Sequence, residues 1–482
     1  MNRRIVFSTT GKIMCLVALL MLIPSVVAVI YSEIKQLFAF LITAAAAFLL
    51  GFLLTLAMRT KNRVIYAKEG FAITALAWIV MSAVGAVPFT ISGDIPSYVD
   101  AVFETVSGFT TTGASILTDV ESMSHSMLFW RSFSHWIGGM GVLVFVMAII
   151  PNISDRSIHI MRAEMPGPVI GKLVPRVKDT AKILYLIYIA LTLVEAILLL
   201  AGGMPIFESI VHTFGTAGTG GFGVMSDSIA SYSPYCQWVI TIFMIIFGVN
   251  FNIYYLLLMR RFRTAFKSSE LWCYFCIVLI SVGLITANIL PIYKNFSLAL
   301  RNSAFQVASI ISTTGYATAD FNLWPGFSKV ILLLLMFSGA CAGSTAGGLK
   351  ISRIVMLFKA VGKEIRKMLH PRSVSKIHFE GKAVDDGTIS SVAIYFVVYM
   401  ICLLFILLLI SYEHFGFESN FSAVVACFNN VGPGFAAVGP TANYSAYNGV
   451  SKILLSIAML LGRLEIFPLI IAFSPRIWFK KK

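Results

Sequence analysis

Ten apolar runs of about 20 residues or more divide this chain of 482 residues, and they constrain its fold more than any other feature. A helix of about 20 apolar residues crosses the roughly 30 Å hydrocarbon core of a membrane. With 58% hydrophobic residues, 12% charged residues and a mean hydropathy of +0.86, the composition excludes a soluble protein. The sequence therefore predicts an all-α, multi-pass membrane protein. The runs are 12–31, 36–58, 71–92, 126–150, 181–202, 234–259, 271–292, 326–358, 389–411 and 450–473.

The formal net charge of +15 indicates orientation in a membrane and not nucleic-acid binding. Most of the 37 Lys and Arg residues fall in alternate loops, which all lie on one side if every apolar run crosses. By the positive-inside rule that side is the cytoplasm, so both termini are predicted to be cytoplasmic. Topology alone explains the basic loops, although docking of a partner protein would use the same residues. Outside the N-terminus these loops are 59–68, 156–182, 260–267, 350–382 and 476–482.

The first apolar run has a second interpretation. Arg3 and Arg4, the apolar stretch and the sequence Ser-Val-Val-Ala at 25–28 resemble a secretory signal peptide. The stretch is long for a signal peptide, and a second apolar run follows almost at once. A retained transmembrane hairpin is therefore the prediction.

Four short segments that end in glycine turns interrupt the series of apolar runs. Their turn glycines recur at intervals of roughly one hundred residues, which predicts four tandem units of helix, half-helix, turn and helix after the N-terminal hairpin. The short segments are 103–114, 207–222, 305–316 and 421–434. The predicted divisions are 1–68 for the hairpin and 69–155, 156–267, 268–388 and 389–482 for the units.

The turns at the ends of the half-helices predict a path for a cation through the membrane. In lipid, irregular backbone is tolerated only where protein buries it or where it lines water. Glycine permits positive φ, so consecutive carbonyl groups can turn toward one axis, and the negative ends of four helix dipoles favour a cation there. Neutral oxygens suit a monovalent ion, whereas a divalent-selective site would carry a ring of carboxylates that these turns lack.

The turn sequences resemble the filter of the Trk/Ktr/HKT superfamily of potassium transporters. The shared residues are Thr-Thr-Gly in the first and third segments, Thr-Gly-Gly-Phe in the second and Asn-Val-Gly-Pro in the fourth. The resemblance covers essentially the whole chain, and the length, the hairpin and an insertion in the third unit are most similar to the bacterial Trk branch. It implies four units around one central pore, potassium uptake, a homodimer, and gating by a cytosolic nucleotide-binding regulator that resembles TrkA.

Carried over by position, the family's filter identifies the candidate K⁺-coordinating residues of this chain. The second segment allows two registers, because Gly218 matches the spacing from Phe207 better while Gly221 precedes an aromatic residue as Gly315 does. We choose Gly221. With one or two glycines in each turn, the resemblance predicts a short filter that discriminates weakly against Rb⁺ or Na⁺. The candidates are Thr111, Thr112, Gly113, Gly220, Gly221, Thr313, Thr314, Gly315, Asn430, Val431 and Gly432.

A run of small residues inside the long segment 326–358 also has two interpretations. Spaced glycines allow close helix packing, but a stretch made only of Gly, Ala, Ser, Thr and Cys holds a helix poorly. The family resemblance favours the second interpretation: the helix is broken beneath the filter, and a flexible intramembrane gating loop takes its place. The glycines of this run are Gly339, Gly343, Gly347 and Gly348.

Arg463 lies in the last apolar run, beside Gly462. An ionisable group at such depth usually faces a cavity and marks function. Pairing with Glu465 is the structural alternative, but residues two apart do not share a helix face. We therefore predict that Arg463 points into the pore below the filter, where it contacts the backbone of the glycine-rich run and opposes cations.

A coupled transporter and a membrane-embedded enzyme are the alternatives to a gated channel. An H⁺- or Na⁺-coupled K⁺ symporter is usually built from inverted repeats, whereas these four units are parallel. An enzyme would need clustered His, Asp or Cys at one depth, which the sequence does not show. A GxGxxG match at 218–223 follows a half-helix instead of a strand, so no organic cofactor is expected. The prediction is a non-enzymatic K⁺ uptake subunit of a bacterial inner membrane.

Overall fold

The computed structural model describes residues 1–60, 65–141, 177–372 and 376–478. Six helices in this part of the chain are long and apolar enough to cross a membrane, or up to eight spans if each of two bent helix pairs counts as one. The prediction of an all-α, multi-pass membrane protein is confirmed. The helices are α1 (Arg3–Leu20), α2 (Leu22–Ile30), α3 (Ile34–Ala57), α4 (Ala67–Ser92), α5 (Tyr98–Phe109), α6 (His125–Gly139), α7 (Val177–Ala201), α8 (Ile206–Gly218), α9 (Pro234–Phe247), α10 (Phe251–Leu258), α11 (Phe262–Ala265), α12 (Ser269–Tyr293), α13 (Phe296–Ile311), α14 (Gly326–Ser338), α15 (Ile351–Leu369), α16 (Asp386–Ile410), α17 (Phe417–Phe428), α18 (Gly449–Arg463), α19 (Phe467–Phe473) and α20 (Pro475–Trp478).

Large apolar side chains remain exposed on the outer faces of the long helices. Leu53 on α3, Leu193 on α7, Leu279 on α12 and Leu408 on α16 are each more than half exposed. A soluble protein rarely presents contiguous apolar surface of this kind, whereas a lipid bilayer accepts it. The long helices therefore form the outer wall of the protein.

The N-terminal hairpin packs tightly at one helix crossing. A Cβ on Gly11 of α1 would lie 2.6 Å from the carbonyl oxygen of Gly51 on α3. A Cβ on Gly51 would lie equally close, 2.6 Å, to the carbonyl oxygen of Gly11. Only glycine allows two helices to approach this closely. The hairpin also joins the rest of the protein, because the ring of Phe40 lies edge-on to Trp130 of α6.

Four short helices, α5, α8, α13 and α17, enter the helix bundle between the long ones. They have 12, 13, 16 and 12 residues, and at about 1.5 Å per residue none of them spans the roughly 30 Å hydrocarbon core. Side chains cap two of them: Oγ of Ser97 accepts the N–H of Asp100, and Oδ1 of Asn295 accepts the N–H of Leu298. Each short helix therefore ends inside the protein.

Two spans that the sequence predicts as continuous, 234–259 and 450–473, are bent in the structure. α9 and α10 meet at 91°, and α18 and α19 meet at 118°. At the first bend Gly248 and Phe251 form backbone hydrogen bonds to the glycine-rich run of the third unit, so tertiary contacts satisfy the free backbone groups. At the second bend Glu465 and Ile466 both have positive φ, which ends the helix.

In the third unit the apolar run 326–358 is interrupted at the predicted glycine-rich stretch, and a small sheet that the sequence did not predict follows it. Residues 339–350 lie between α14 and α15 and are not helical. After α15, strands β1 (Ile377–Phe379) and β2 (Lys382–Val384) pair in antiparallel register. Both residues of the connecting turn have positive φ. This is the conformation of the two-residue hairpin turn whose twist matches that of the strands. We call β1, β2 and their turn the β-hairpin.

Several predictions fall outside the described residues. They are the end of the span 126–150 from residue 142, the unit boundary between 155 and 156, the basic segment 156–182 as far as residue 176, and parts of the basic segments 59–68, 350–382 and 476–482.

Candidate ion pathway

Each of the four short helices leads into a three-residue turn of one backbone conformation. In every turn the first and third residues have positive φ and the middle residue does not. Glycine adopts this conformation freely at the third position, whereas Thr at the first position is strained, as residues at functional sites often are. The first and third residues are Thr111 (56°) and Gly113 (80°), Thr219 (55°) and Gly221 (80°), Thr313 (57°) and Gly315 (86°), and Asn430 (56°) and Gly432 (95°).

Two backbone hydrogen bonds fix each turn to its short helix. In the first turn the N–H of Thr111 donates to the carbonyl of Gly108 at 3.1 Å, and the N–H of Thr112 donates to Ser107 at 2.9 Å. The same pair of bonds recurs in the other three turns. These N–H groups point back to the helix. In a trans peptide the carbonyl group points opposite to the N–H group, so the carbonyl groups of the same peptide planes point away from the helix.

The four turns close into one ring. A Cβ on any of the four glycines would collide with the carbonyl oxygen of the middle residue in the next turn. The turns thus follow one another around a single axis in chain order, and the fourth meets the first. The contacting pairs are Gly113 with Gly220, Gly221 with Thr314, Gly315 with Val431, and Gly432 with Thr112.

The middle carbonyl groups of the ring are buried, and no donor among the described residues reaches them. Thr112, Thr314 and Val431 have no exposed surface, and the described residues provide no hydrogen bond to their carbonyl oxygens or to that of Gly220. Buried backbone carbonyls in proteins nearly always have a partner. Four such oxygens around one axis form a site that suits a cation stripped of water.

The backbone places the second turn at Thr219, Gly220 and Gly221. Gly218 is the last residue of α8, so the register that places the turn glycine at Gly218 does not apply. All the sequence-predicted filter residues lie in the ring. Thr219 was missed, and counting back two residues from Gly221, as from the other turn glycines, would have identified it.

Buried side chains around the ring form hydrogen bonds that join neighbouring units. Nδ1 of His135 donates to the carbonyl of Gly108 at 2.7 Å, and its Nε2 accepts the N–H of Phe222 at 3.3 Å. This pair of bonds ties the first unit to the second and requires the neutral imidazole. The hydroxyl of Tyr316 lies 3.2 Å from the carbonyl oxygens of both His212 and Phe222, which ties the third unit to the second. Sequence analysis assigned no role to His135 because its partners lie on other elements.

A cavity of about 140 Å³ lies on one side of the ring, lined by the turn glycines and by residues that follow them in the chain. Arg131 lies at its wall. Its guanidinium pairs with Glu104 at 2.7 Å and lies 4.1 Å from the ring centre of Phe222. Both charged side chains are almost fully buried, and Glu104 also accepts hydrogen bonds from Ser115 and Ile116, beyond the first turn. This ion pair therefore holds in place the segment after the first turn, which lines the cavity.

Residues 339–350, which we call the glycine-rich loop, lie against the other side of the ring. The N–H of Gly347 donates to Oγ1 of Thr313 at 2.7 Å, and a Cβ on Gly347 would lie 2.5 Å from the carbonyl oxygen of Asn429. At the base of the loop, a Cβ on Gly339 would lie 3.1 Å from Cα of Gly348. The loop thus touches the third and fourth turns on the side where the short helices arrive.

Arg463 connects this loop to the first unit. Its guanidinium donates to the carbonyl of Thr345 in the loop at 2.7 Å. It also donates to the carbonyls of Gly138 and Gly139, at the end of α6, at 2.6 and 2.7 Å. The alternative partner of Arg463, Glu465, pairs instead with a cation of the third unit.

That cation is Arg353, in the first turn of α15. Its guanidinium lies 2.5 Å from a carboxylate oxygen of Glu465 and 4.1 Å from the ring centre of Tyr395. The pair joins the bend between α18 and α19 to the helix that follows the glycine-rich loop. Sequence analysis missed it because 112 positions separate the two residues.

Comparison with known proteins relates this chain to a family. The family model described as "TrkH: Cation transport protein" matches residues 36–286 and 292–480. The chain is 36% identical to the Trk system potassium uptake protein TrkH of Salmonella typhimurium, over 99% of this chain and 100% of that protein. It is 35% identical to TrkG of Escherichia coli, over 98% of each chain. The crystal structure of the potassium transporter TrkH from Vibrio parahaemolyticus matches with a TM-score of 0.88 and 31% identity, over 99% of this chain and 100% of that one.

Proposed function

Because the chain belongs to the TrkH family of cation transport proteins, we propose that it conducts K⁺ through its ring of four turns as a gated, channel-like pore. At the coarser level it is a potassium uptake subunit of a Trk system. The resemblance to potassium transporters that the sequence indicated is thereby confirmed. The proposed function is transport alone, with K⁺ as the cargo and no organic cofactor.

One observation supports the pore most directly: four buried carbonyl oxygens, one from each turn, surround a single axis without protein donors among the described residues. A K⁺ ion gives up part of its hydration shell at a filter and accepts backbone carbonyls in exchange. We propose the residues of the four turns as its ligands, Thr219 included. One ring of short turns offers few successive sites, so K⁺ is expected to be only modestly preferred over Rb⁺ and Na⁺.

The glycine-rich loop and Arg463 are the proposed gate. The loop lies against two of the turns, and Arg463 holds it through the carbonyl of Thr345 while placing a positive charge under the ring. A cation that leaves the ring on this side meets both the loop and the charge. Opening therefore requires the loop to withdraw from the third and fourth turns.

The remaining features of the proposal follow from the family and from the charge pattern. The chain is divided into a hairpin and four pore units at the boundaries predicted from the sequence. Both termini and the basic loops face the cytoplasm of a bacterial cell, and the protein forms a homodimer in the inner membrane. A cytosolic nucleotide-binding regulator of the TrkA type controls the gate. With the basic segment 350–382 in the cytoplasm, α15 and the start of the β-hairpin, which belong to it, would face such a partner.

A flux assay on the purified protein in liposomes tests the pore. Under opposed K⁺ and Na⁺ gradients, the reversal potential gives the permeability ratio. Gly315→Ser places a Cβ against the carbonyl of Val431, and we expect the K⁺/Na⁺ ratio to fall about tenfold because overpacking typically costs about 1–3 kcal/mol. Gly326→Ser is the matched control, since nothing lies within 4 Å of the added Cβ.

Two outcomes count against the proposal. An unchanged permeability ratio in Gly315→Ser, with normal protein in the membrane, contradicts the filter assignment. Uphill K⁺ movement driven by an imposed H⁺ or Na⁺ gradient, at zero membrane potential, indicates a coupled symporter instead of a channel.

A further inference from the structure

Glu270, a buried residue outside the proposed filter and gate, contacts both the glycine-rich loop and the helix that follows it. Its side chain is near the start of α12 and the residue is only 4% exposed. One carboxylate oxygen, Oε1, accepts the N–H of Ala342 at 2.7 Å and the N–H of Ser352 at 3.1 Å. Ala342 lies early in the loop, and Ser352 belongs to the first turn of α15, which follows it. The carboxylate therefore joins the loop to the start of α15.

A carboxylate suits this position physically. The N–H groups in the first turn of a helix have no partner within the helix, and the N-terminal end of the helix dipole favours negative charge. Hydrogen bonds to a carboxylate oxygen are stronger than those between neutral groups. Releasing Glu270 would therefore free the loop and the start of the helix that follows it at once.

A second carboxylate connects Glu270 to the β-hairpin. Oε1 of Glu380, in the hairpin turn, accepts the N–H of Glu270 at 3.0 Å. The same oxygen accepts the hydroxyls of Ser268 at 3.1 Å and Ser269 at 3.2 Å. Glu380 thus caps the start of α12 from outside, and its position fixes the turn of helix that presents Glu270 to the loop.

The β-hairpin is also fastened to α15. Nζ of Lys359 donates to the carbonyl of His378 at 2.8 Å, and Phe379 packs in a small apolar cluster with Met356 and Val392. A movement of the hairpin would therefore act on the loop by two routes, through α15 and through the start of α12. The outer residues of the hairpin turn, Glu380 and Gly381, are exposed.

We propose that Glu270 is a positioning residue that clamps the glycine-rich loop in its closed place, and that Glu380 makes this clamp sensitive to the β-hairpin. A cytosolic partner protein that binds and displaces the hairpin would then release the loop without contacting it. The inference rests on the proposed function of the loop as a gate.

Cys341 provides a readout of the loop that does not depend on flux. It lies in the loop, is a free cysteine and has no exposed surface. In a protein whose other six cysteines are replaced by alanine, a small charged methanethiosulfonate reagent reacts with Cys341 only when the loop leaves its place. The labelling rate is measured on the full-length protein in liposomes or detergent, beside K⁺ flux and thermal unfolding.

Three variants separate the clamp from a general loss of structure. Glu270→Ala removes both hydrogen bonds, and Glu270→Gln retains the shape without the charge. Glu380→Asn shortens the side chain but keeps a residue that accepts positive φ next to Gly381, so the hairpin turn persists. Glu364→Gln, an exposed carboxylate on α15, is the matched control.

We expect Cys341 labelling to accelerate about tenfold or more in Glu270→Ala, less in Glu270→Gln and Glu380→Asn, and not in Glu364→Gln. If both Glu270 variants are folded and Cys341 is labelled at the parental rate, the clamp is overturned. If Cys341 is labelled fast in the Glu270 variants but at the parental rate in Glu380→Asn, the link to the hairpin is overturned. Fast labelling without increased K⁺ flux supports the clamp and shows that the proposed gate function of the loop is wrong.

Discussion

The side-chain amide of Asn430 donates a hydrogen bond of 2.9 Å to Oγ1 of Thr112, although 318 positions separate the two residues. The same Nδ2 donates to the carbonyl of Met459 at 3.0 Å. The amide thus fastens the fourth turn both to the first turn and to α18. The ring closes at this contact, because the other neighbours are consecutive along the chain.

Replacement of Asn430 by alanine is expected to loosen the ring. It removes both hydrogen bonds at a fully buried position and destabilises the protein by about 1–3 kcal/mol. The K⁺/Na⁺ permeability ratio should fall as the first and fourth turns separate. Asn429→Ala is the matched control, since this neighbouring buried amide bonds to Tyr399 and Val425 and not to another turn. Equal changes in selectivity in the two variants would show that the effect is general destabilisation.

Replacement of Arg463 by alanine is expected to increase K⁺ flux. A unit charge about 6 Å from the ion, at an effective dielectric constant of about 20, raises its energy by about 3 kcal/mol, or about a hundredfold in rate. The variant also frees the loop at Thr345. Flux is measured in liposomes, with Arg263→Ala, an exposed arginine, as control. A loss of flux would identify Arg463 as a structural residue that holds the end of α6.

Deletion of residues 341–347 is expected to raise basal flux in the absence of any cytosolic partner. The deletion removes the segment that lies against the third and fourth turns. Combined with Arg463→Ala it should add little, because both changes remove one barrier and sites in contact are not additive. Strictly additive effects on the logarithm of the rate would mean that the loop and Arg463 act separately. A folded deletion variant with parental flux would make the loop a packing element.

Replacement of Arg131 by methionine is expected to destabilise the protein strongly. It leaves the buried carboxylate of Glu104 without its cation, and breaking a buried ion pair typically costs about 3–5 kcal/mol. The double variant with Glu104→Gln should recover part of this loss, because the uncompensated charge is gone. Thermal unfolding in detergent measures both effects. If the single variant unfolds at the parental temperature, the pair does not stabilise the chain around the cavity.

The length and composition of the apolar runs determined the membrane fold, and the spacing of four glycines determined which residues form the turns. Both signals are local: a run of apolar residues needs no partner to favour lipid, and positive φ favours glycine at the position itself. Gly113, Gly315 and Gly432 could therefore be identified from the amino-acid sequence alone. Thr219 could have been found by the same counting.

Only the tertiary structure decided which turn faces which, where helices bend and how buried charges pair. At the bend after α9 the glycine-rich loop of another unit satisfies free backbone groups, and the bend after α18 coincides with the pairing of Glu465 with Arg353. His135 and Glu270 became significant through partners on other elements. Such contacts join residues that are distant in the chain and depend on how whole helices pack, so no pattern within a single segment could reveal them.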